Sequence, residues 1–206
     1  MRRIGDTAIA AVTALALGAG VWLLSTNTGT PPQPSAAEGR PDPGGEHRAA
    51  PALPASPPTR IRVPTIRVNA PLMGLALTSS GSLDVPPLAE KNLAGWYEAG
   101  TTPGDTGTAV VAGHVDNTEG PAVFYDLGAL KRGATIEIDR EDSTTAVFTV
   151  DAVEVYSAKN FPDAKVYGTA RRPELRVITC GGGYSKTTGY QGNVVVFAHL
   201  TAARPT

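Results

Sequence analysis

Cys180 is the only cysteine in the 206-residue chain, and it ends a strand-like run, residues 174–180, that is followed by three glycines. A thiolate is a nucleophile, whereas a buried free cysteine is commonly just a small apolar side chain. The glycines at 181–183 allow the backbone to bend and a substrate to approach closely. This setting favours a nucleophilic cysteine over a structural one.

A cysteine nucleophile needs a base or a cation beside it, because a free thiol has a pKa of about 8.5 and is mostly protonated at neutral pH. Histidine is the usual partner. His114 directly follows an apolar run, as Cys180 does, whereas His199 lies near the end of residues 193–200 and is predicted to be a surface residue. His47 falls in a proline-rich segment. The sequence therefore predicts Cys180 and His114 as the reacting pair.

The chain offers little for a metal ion. His114 and Asp116 alone make a poor set for zinc, which takes three or four protein ligands. Asp139, Glu141 and Asp142 form a small acidic group that could in principle serve calcium, but a solvated turn is the favoured interpretation. We expect no metal and no cofactor.

Short runs rich in Val, Ile and Thr, bounded by Gly, Pro, Asn or Asp, predict strands through the C-terminal part of the chain. Residues 122–133 could hold a helical turn or two, with Leu127 and Leu130 facing inward. Several short strands without a long helical period predict an all-β barrel or sandwich. The predicted strands are 60–72, 108–115, 134–139, 145–156, 174–180 and 193–200.

The N-terminal part predicts a membrane-anchored protein. Residues 7–24 carry no charge, which suits an N-terminal transmembrane helix near the short limit, and Arg2 and Arg3 before it place the N-terminus in the cytoplasm. Residues 25–27 make a poor cleavage site, so an uncleaved anchor is favoured over a signal peptide. We therefore expect an anchor at 1–27, a disordered Pro/Gly/Ala-rich linker at 28–59 and one domain at 60–206.

Charge is nearly balanced, with 18 basic and 19 acidic residues. A chain of this kind has no bulk electrostatic attraction to nucleic acid. The anchor places the domain outside the cytoplasm, on the outer side of the cell membrane.

The segments "VVAGHVDN", "LRVITCGGGY" and "NVVVFA" together resemble the sortases, the membrane-anchored cysteine transpeptidases of Gram-positive bacteria. The likeness runs from about residue 60 to residue 200 and includes "RIRVPTIRVNAPL", "GSLDVPP" and "VFYDLGALKRGATIEI". The segments "GWYEAGTTPGDTGTAVVAGHVD" and "ITCGG" look most like those of the actinobacterial class F group.

The resemblance implies a closed eight-stranded β-barrel with short helical turns. It also implies that Cys180 attacks the threonine–glycine bond of a C-terminal LPXTG-like sorting signal, with His114 stabilising the thiolate or protonating the leaving amine. The acyl-enzyme would pass the protein to a cell-wall amine, such as a peptidoglycan precursor, or to water. The expected partners are secreted proteins with such signals, and the expected form is a monomer.

One position departs from the family pattern. Sortases usually carry an arginine on the strand after the cysteine, and the corresponding residue here is Asn193, which could donate a hydrogen bond but carries no charge. Lys186 or Arg176 could substitute, although Arg176 would lie about 13 Å from Cys180 along an ideal strand and is otherwise expected to face solvent. The third catalytic group stays open.

Two other interpretations compete. The missing arginine supports a catalytically idle barrel that binds the cell wall or another protein. An L,D-transpeptidase also uses cysteine and histidine, but its cysteine lies in an S-x-G-C setting followed by arginine, which "ITCGGG" does not match.

Overall fold

The computed structural model describes residues 29–39 and 49–206. The predicted transmembrane helix, within residues 1–27, lies outside the described residues. Among the described residues there is no helix of the length and apolarity that a membrane span requires. Residues from Pro31 to Thr206 form one compact unit.

The unit is built on a closed eight-stranded β-barrel, which confirms the predicted fold class. The barrel order is β1-β2-β3-β4-β9-β10-β8-β7, and β5 pairs with β6 in a separate small hairpin. The strands are β1 Pro58–Val63, β2 Val68–Leu75, β3 Ala94–Tyr97, β4 Gly107–Gly113, β5 Asp116–Asn117, β6 Gly120–Pro121, β7 Thr135–Arg140, β8 Thr144–Ser157, β9 Pro173–Ser185 and β10 Gly189–Pro205.

Most neighbouring strands in the barrel are antiparallel, but β2 and β3 run parallel. β4 and β9 also run parallel, with Ala112 opposite Ile178 at the last pair. β9 continues into β10 through a hairpin, in which Cys180 pairs with Asn193. The functional strands β4, β9 and β10 are therefore three consecutive neighbours in the barrel wall.

Side chains alternate between the two faces of each strand, so apolar residues pack both in the barrel core and in a second cluster outside the barrel. On β9, Leu175 and Val177 face the core, whereas Ile178 belongs to an outer cluster. Side chains on a strand alternate between its two faces, so even-numbered β9 residues, including Cys180, lie on the outer face. The outer cluster comprises Val110, Val166, Ile178, Val195 and Phe197.

The connection from β8 to β9 covers this outer layer. It contains a 3₁₀ turn, Ala158–Asn160, and a short helix α1, Asp163–Tyr167, whose Val166 is fully buried. The predicted turn in residues 122–133 is present as a 3₁₀ helix, Leu127–Ala129, and Leu127 and Leu130 are buried as expected.

Within the segment interpreted as a disordered linker, residues 49–57 lie against the barrel. The main-chain amide of Ala50 donates to Leu200 and that of Leu53 donates to Gly104. Arg140 is only 3% exposed and donates to the main-chain oxygen of Pro54. The amide of Ser56 also donates, to the hydroxyl of Thr102. The ordering of this segment therefore comes from contacts that composition does not show.

Residues 31–39 of the same segment also contact the barrel. The main-chain oxygen of Glu38 accepts from Val153 on β8, and its carboxylate accepts from the amide of Arg132. The side chain of Gln33 accepts from the amide of Gly182, two residues after Cys180. Residues 40–48 lie outside the described residues.

The acidic group Asp139, Glu141 and Asp142 is in part the expected solvated turn. Glu141 and Asp142 are exposed in the turn between β7 and β8, and Asp142 pairs with Arg140 at 3.1 Å. Asp139 differs, because it lies on β7 and is buried, and its carboxylate accepts hydrogen bonds from Arg62 and Thr145.

Candidate active site

Cys180 lies on β9, five residues before the strand ends at Ser185, rather than at its end as the sequence suggested. The strand continues because the hairpin to β10 keeps pairing through Tyr184 and Tyr190. Gly182 and Gly183 adopt positive φ angles of 75° and 93°, which side chains rarely tolerate. The glycines therefore shape the hairpin, in addition to leaving the thiol uncovered.

The thiol is exposed to solvent. Protein atoms nevertheless crowd one side of it, and this burial, together with the negative charge of Asp116, raises the pKa of Cys180. The neutral thiol is therefore the dominant form near pH 7, and the thiolate is a minority species.

His114 is the first residue after β4 and is half-buried. The last pair of β4 and β9 is Ala112 with Ile178, so His114 and Cys180 each follow that pair by two residues, and His114 comes directly after β4 ends at Gly113. Side chains two positions apart on a strand share a face, so both residues continue the outer face of Ala112 and Ile178. Adjacent strands lie about 4.8 Å apart, so extending the register by two residues brings the two side chains to the same level of the wall.

Hydrogen bonds hold the end of β4 against β9. The buried hydroxyl of Thr179 donates to the main-chain oxygen of Gly113 at 2.8 Å. The main-chain oxygen of His114 accepts from Phe124. The backbone on either side of the histidine is therefore fixed relative to the residue before the cysteine.

The imidazole is oriented by a loop. His114 Nε2 lies 2.7 Å from the main-chain oxygen of Pro86. A carbonyl can only accept, so Nε2 carries the proton and Nδ1 is the nitrogen that can gain or lose one. Two further contacts fix the same loop: Asn117 donates to the oxygen of Leu88, and Lys91 forms an ion pair with Glu119.

A groove with a volume of about 620 Å³ runs along the outer face and reaches the row next to Cys180. Its floor includes Val110, Ala112 and Ile178, and Asn193 lies at the end beside the thiol. Loop residues such as Leu83 form one wall, and α1 forms part of another with Tyr167. Polar side chains, among them Asp84 and Thr108, line the groove together with the apolar ones, and Cys180 and His114 are not part of its lining.

Of the three candidates for the third group, Asn193 lies directly across from Cys180 in the β9–β10 pairing. Directly opposed residues in an antiparallel pair have Cβ atoms about 5 Å apart. Its amide is therefore the nearest side-chain donor that the sequence analysis named. Lys186 lies in the turn of the hairpin, between β9 and β10.

Arg176 is not the solvent-facing residue that the sequence suggested. It is 6% exposed, donates to Glu174 at 2.6 Å and stacks on the ring of Phe197 at 4.6 Å. The outer cluster and the β8–β9 connection cover this part of the face, which is why an alternating pattern predicted exposure wrongly. The guanidinium is engaged at the end of β9 that lies away from Cys180.

His199 is likewise buried rather than on the surface, at 1% exposed, and its Nδ1 lies 2.7 Å from Asp151. It pairs with Glu174, six positions from Cys180 along β9, a separation of about 20 Å. His199 is therefore too far from Cys180 to serve it.

The sequence analysis did not predict the contact between Tyr190 and Asp116. The hydroxyl of Tyr190 on β10 donates to Asp116 on β5. Burial and this hydrogen bond raise the pKa of Tyr190, with further contributions from the charges of Cys180 and Tyr125. Seventy-four residues separate the partners, so only the strand register could have brought them together.

Comparisons with known proteins agree with this fold. The family model of the sortase domain matches residues 61–201, and the chain therefore belongs to the sortase family, whose members are cysteine transpeptidases. A comparison with curated proteins found no match.

Solved structures of similar fold include sortases of Listeria monocytogenes, Actinomyces oris and Streptococcus suis. Sortase A of Listeria monocytogenes has a TM-score of 0.54 and 18% identity, over 73% of this chain and 91% of that one. The SrtA sortase of Actinomyces oris has a TM-score of 0.55 and 20% identity, over 77% and 89%. Sortase C1 of Streptococcus suis has a TM-score of 0.51 and 19% identity, over 70% and 73%.

Proposed function

We propose that this sortase cleaves an LPXTG-like sorting signal through an acyl-enzyme on Cys180, and transfers the protein to a cell-wall amine. The observation that carries the proposal is that His114 and Cys180 each follow the last β4–β9 pair, Ala112 with Ile178, by two residues, and that both members of this pair line the groove. A nucleophile and an acid–base group at the same level of the wall, beside a groove, suit acyl transfer.

The first step would be attack of the Cys180 thiolate on the scissile carbonyl carbon, which forms the C–S bond. His114, as the imidazolium, would give a proton from Nδ1 to the departing amine as the C–N bond breaks. An incoming amine would then lose a proton to Nδ1 as it attacks the thioester, and Cys180 would leave as the thiolate. Charge on the oxyanion would be stabilised by the amide of Asn193, without a positive charge.

The thiolate–imidazolium pair is the reactive form, and both groups belong to one coupled titration. Because the pKa of Cys180 is raised, only a small fraction of the enzyme holds this form at neutral pH. Activity should therefore rise with pH as the thiolate fraction of Cys180 grows.

The direct test uses the compact unit, residues 31–206, and a quenched fluorescent LPXTG-type peptide with and without an amine acceptor. We expect cleavage by the wild type, none by Cys180→Ala, and a mass increase on Cys180 equal to the N-terminal peptide fragment. Equal signals from the wild type and Cys180→Ala, or no mass adduct across a panel of sorting peptides, would refute the proposal.

The uncharged Asn193 supports a second candidate, an idle barrel that binds the cell wall or a protein. In that case the unit would bind sorting peptides or wall fragments without forming an adduct. The mass measurement separates the two, since binding alone leaves the mass of the protein unchanged.

We also propose that residues 1–27 anchor the chain in the cell membrane with the barrel on the outer side, and that the protein belongs to the class F group. Residues 7–24 carry no charge, and two arginines precede them. Protease added to intact cells should remove the barrel and leave a membrane-bound fragment. A full-length protein extracted by carbonate would contradict the anchor.

A further inference from the structure

Asp116 and Tyr190 connect the two segments that flank the reacting pair. Asp116 begins β5, two residues after His114, and Tyr190 lies on the strand that follows the cysteine hairpin. The hydroxyl of Tyr190 donates to the carboxylate Oδ2 atom of Asp116. No main-chain pairing joins β5 to β10 among the described strands, so this side-chain bond bridges them.

Geometry places the same pair close to the nucleophile in the fold. Asp116 is two residues beyond His114, and Tyr190 pairs with Tyr184 in the β9–β10 hairpin that carries Cys180. Burial and the negative charge of Asp116 raise the pKa of Cys180. The uncharged Asn193 pairs directly with Cys180, and Lys186 is a cation in the turn of the same hairpin.

The ring of Tyr190 is fixed on its other side. It makes an edge contact with Tyr184 across the hairpin, with ring centroids 5.2 Å apart. Tyr184 is itself 61% exposed, whereas Tyr190 is half-buried and its hydroxyl donates to Asp116. A phenol held in this way is a directed donor rather than a mobile surface group.

We propose that Asp116 and Tyr190 are positioning residues: their hydrogen bond ties the segment after His114 to the hairpin after Cys180, and it keeps a carboxylate charge beside the thiol. This inference rests on the proposed function only in taking Cys180 as the nucleophile. The carboxylate disfavours the thiolate, because two negative charges repel at short range.

This arrangement stores the nucleophile as the neutral thiol when no substrate is present. A thiolate is the form that oxidants and alkylating agents attack. The nearby carboxylate therefore protects the exposed thiol against oxidation and alkylation. The cost is a smaller fraction of enzyme with Cys180 as the reactive thiolate.

Two substitutions separate the charge from the tether. Asp116→Asn removes the charge and keeps an oxygen that can accept from Tyr190. Tyr190→Phe removes the hydrogen bond and keeps both the charge and the ring contact with Tyr184. Tyr184→Phe is the matched control, because it removes one hydroxyl from the same hairpin without touching Asp116.

The first measurement is the rate of Cys180 alkylation by iodoacetamide against pH, which requires no peptide substrate. We expect Asp116→Asn to lower the midpoint of this profile by roughly half a unit to one unit, and Tyr190→Phe not to lower it. An unchanged midpoint in Asp116→Asn, with the thermal unfolding temperature preserved, would overturn the charge role. Asp116→Ala gives the same test if Asp116→Asn fails to fold.

The second measurement is amide hydrogen exchange at residues 114–117 and 181–190. We expect Tyr190→Phe to speed exchange in both segments severalfold, and Tyr184→Phe to leave it unchanged. Equal exchange in the two variants would overturn the tether. Both readouts stand even if the wild type cleaves no sorting peptide, so failure here and failure of the proposed function are distinguishable.

Discussion

His114 Nε2 lies 2.7 Å from the main-chain oxygen of Pro86, so a loop carbonyl, and not a carboxylate, orients the imidazole. A carboxylate in that place would raise the pKa of the ring by its charge, whereas a carbonyl fixes the ring and its tautomer with a weaker electrostatic effect. The loop that supplies the carbonyl continues into a groove wall at Leu83 and Val85. Substrate that moves this wall would also move the partner of His114.

We expect His114→Ala to lower kcat for peptide cleavage by roughly 10²–10⁴-fold, the range for loss of general acid–base catalysis. The thermal unfolding temperature should change little, because the ring is half-buried and packs at the end of a strand. Steady-state kinetics and thermal unfolding of the same preparations provide the check.

His199→Gln is the matched control for that variant. His199 is buried beside Asp151, so its loss should lower the free energy of unfolding by about 1–3 kcal/mol while the folded fraction keeps its kcat. If His199→Gln abolished cleavage and His114→Ala did not, the assignment of the two histidines would be reversed.

Asn193 provides a second test of the site. We expect Asn193→Ala to lower kcat by about 10-fold or more, with KM changed less, because an oxyanion donor acts mainly in the transition state. Asn193→Arg, which supplies a charged donor in the same place, should retain more activity than Asn193→Ala. Kinetics at fixed pH with one peptide measure both.

Lys186→Ala is the control for Asn193, since it removes a cation from the hairpin turn without altering the row of Cys180. Its kcat should stay within about twofold of the wild type, a change too small to indicate a lost oxyanion donor. A loss in Lys186→Ala that exceeds that in Asn193→Ala would move the oxyanion role to the lysine.

Acid sensitivity should depend on Glu137, on β7. Burial would raise its pKa, but hydrogen bonds and charge from Arg204 and Arg62 outweigh burial and leave the pKa lowered. A carboxylate with a lowered folded-state pKa contributes stability that is present above its unfolded value near 4.5 and is lost as pH falls through the folded value. The affected window therefore lies below about pH 4.5.

We expect Glu137→Gln to lower the free energy of unfolding at pH 7 by about 1 kcal/mol, a modest value because solvent screens the pair with the half-exposed Arg204. The difference from the wild type should shrink toward pH 3. Urea titrations at pH 7, 4.5 and 3 measure it.

The control is Glu119→Gln, whose exposed carboxylate pairs with Lys91 and whose loss should cost less than about 0.5 kcal/mol. A Glu137→Gln penalty that stayed constant from pH 7 to pH 3 would show that the carboxylate charge is not responsible.

Local pattern was sufficient for much of the fold. Alternating and β-branched runs predicted six strand regions, whereas the roles of Cys180 and His114 stay a prediction that the kinetics above would test. The short strand Ala94–Tyr97 was missed as a separate element, because four residues with a glycine among them carry little periodicity.

Long-range register decided what the sequence could not show. The burial of Arg176 depends on Phe197 across the hairpin and on the covering connection before β9. The partners Pro86 for His114 and Tyr190 for Asp116 lie 28 and 74 residues away. Such contacts follow from barrel closure, which a single sequence does not specify.

The segment at residues 49–57 gives the last prediction. Ala50 and Leu53 pack against the barrel core and donate main-chain hydrogen bonds to Leu200 and Gly104. A chain that begins at residue 58 should therefore lose about 3 kcal/mol of unfolding free energy relative to one that begins at residue 49, from the lost apolar burial and hydrogen bonds together.

Chemical denaturation of chains 31–206, 49–206 and 58–206 measures the effect, and Leu53→Ser in the longest chain is a milder version of the same change. Equal midpoints for 49–206 and 58–206 would show that the segment lies on the barrel without stabilising it. If the free energy of unfolding falls strongly from chain 49–206 to chain 58–206, the folded domain begins about ten residues before the position that composition indicates. Packing and main-chain hydrogen bonds, and not proline content, then determine where order begins.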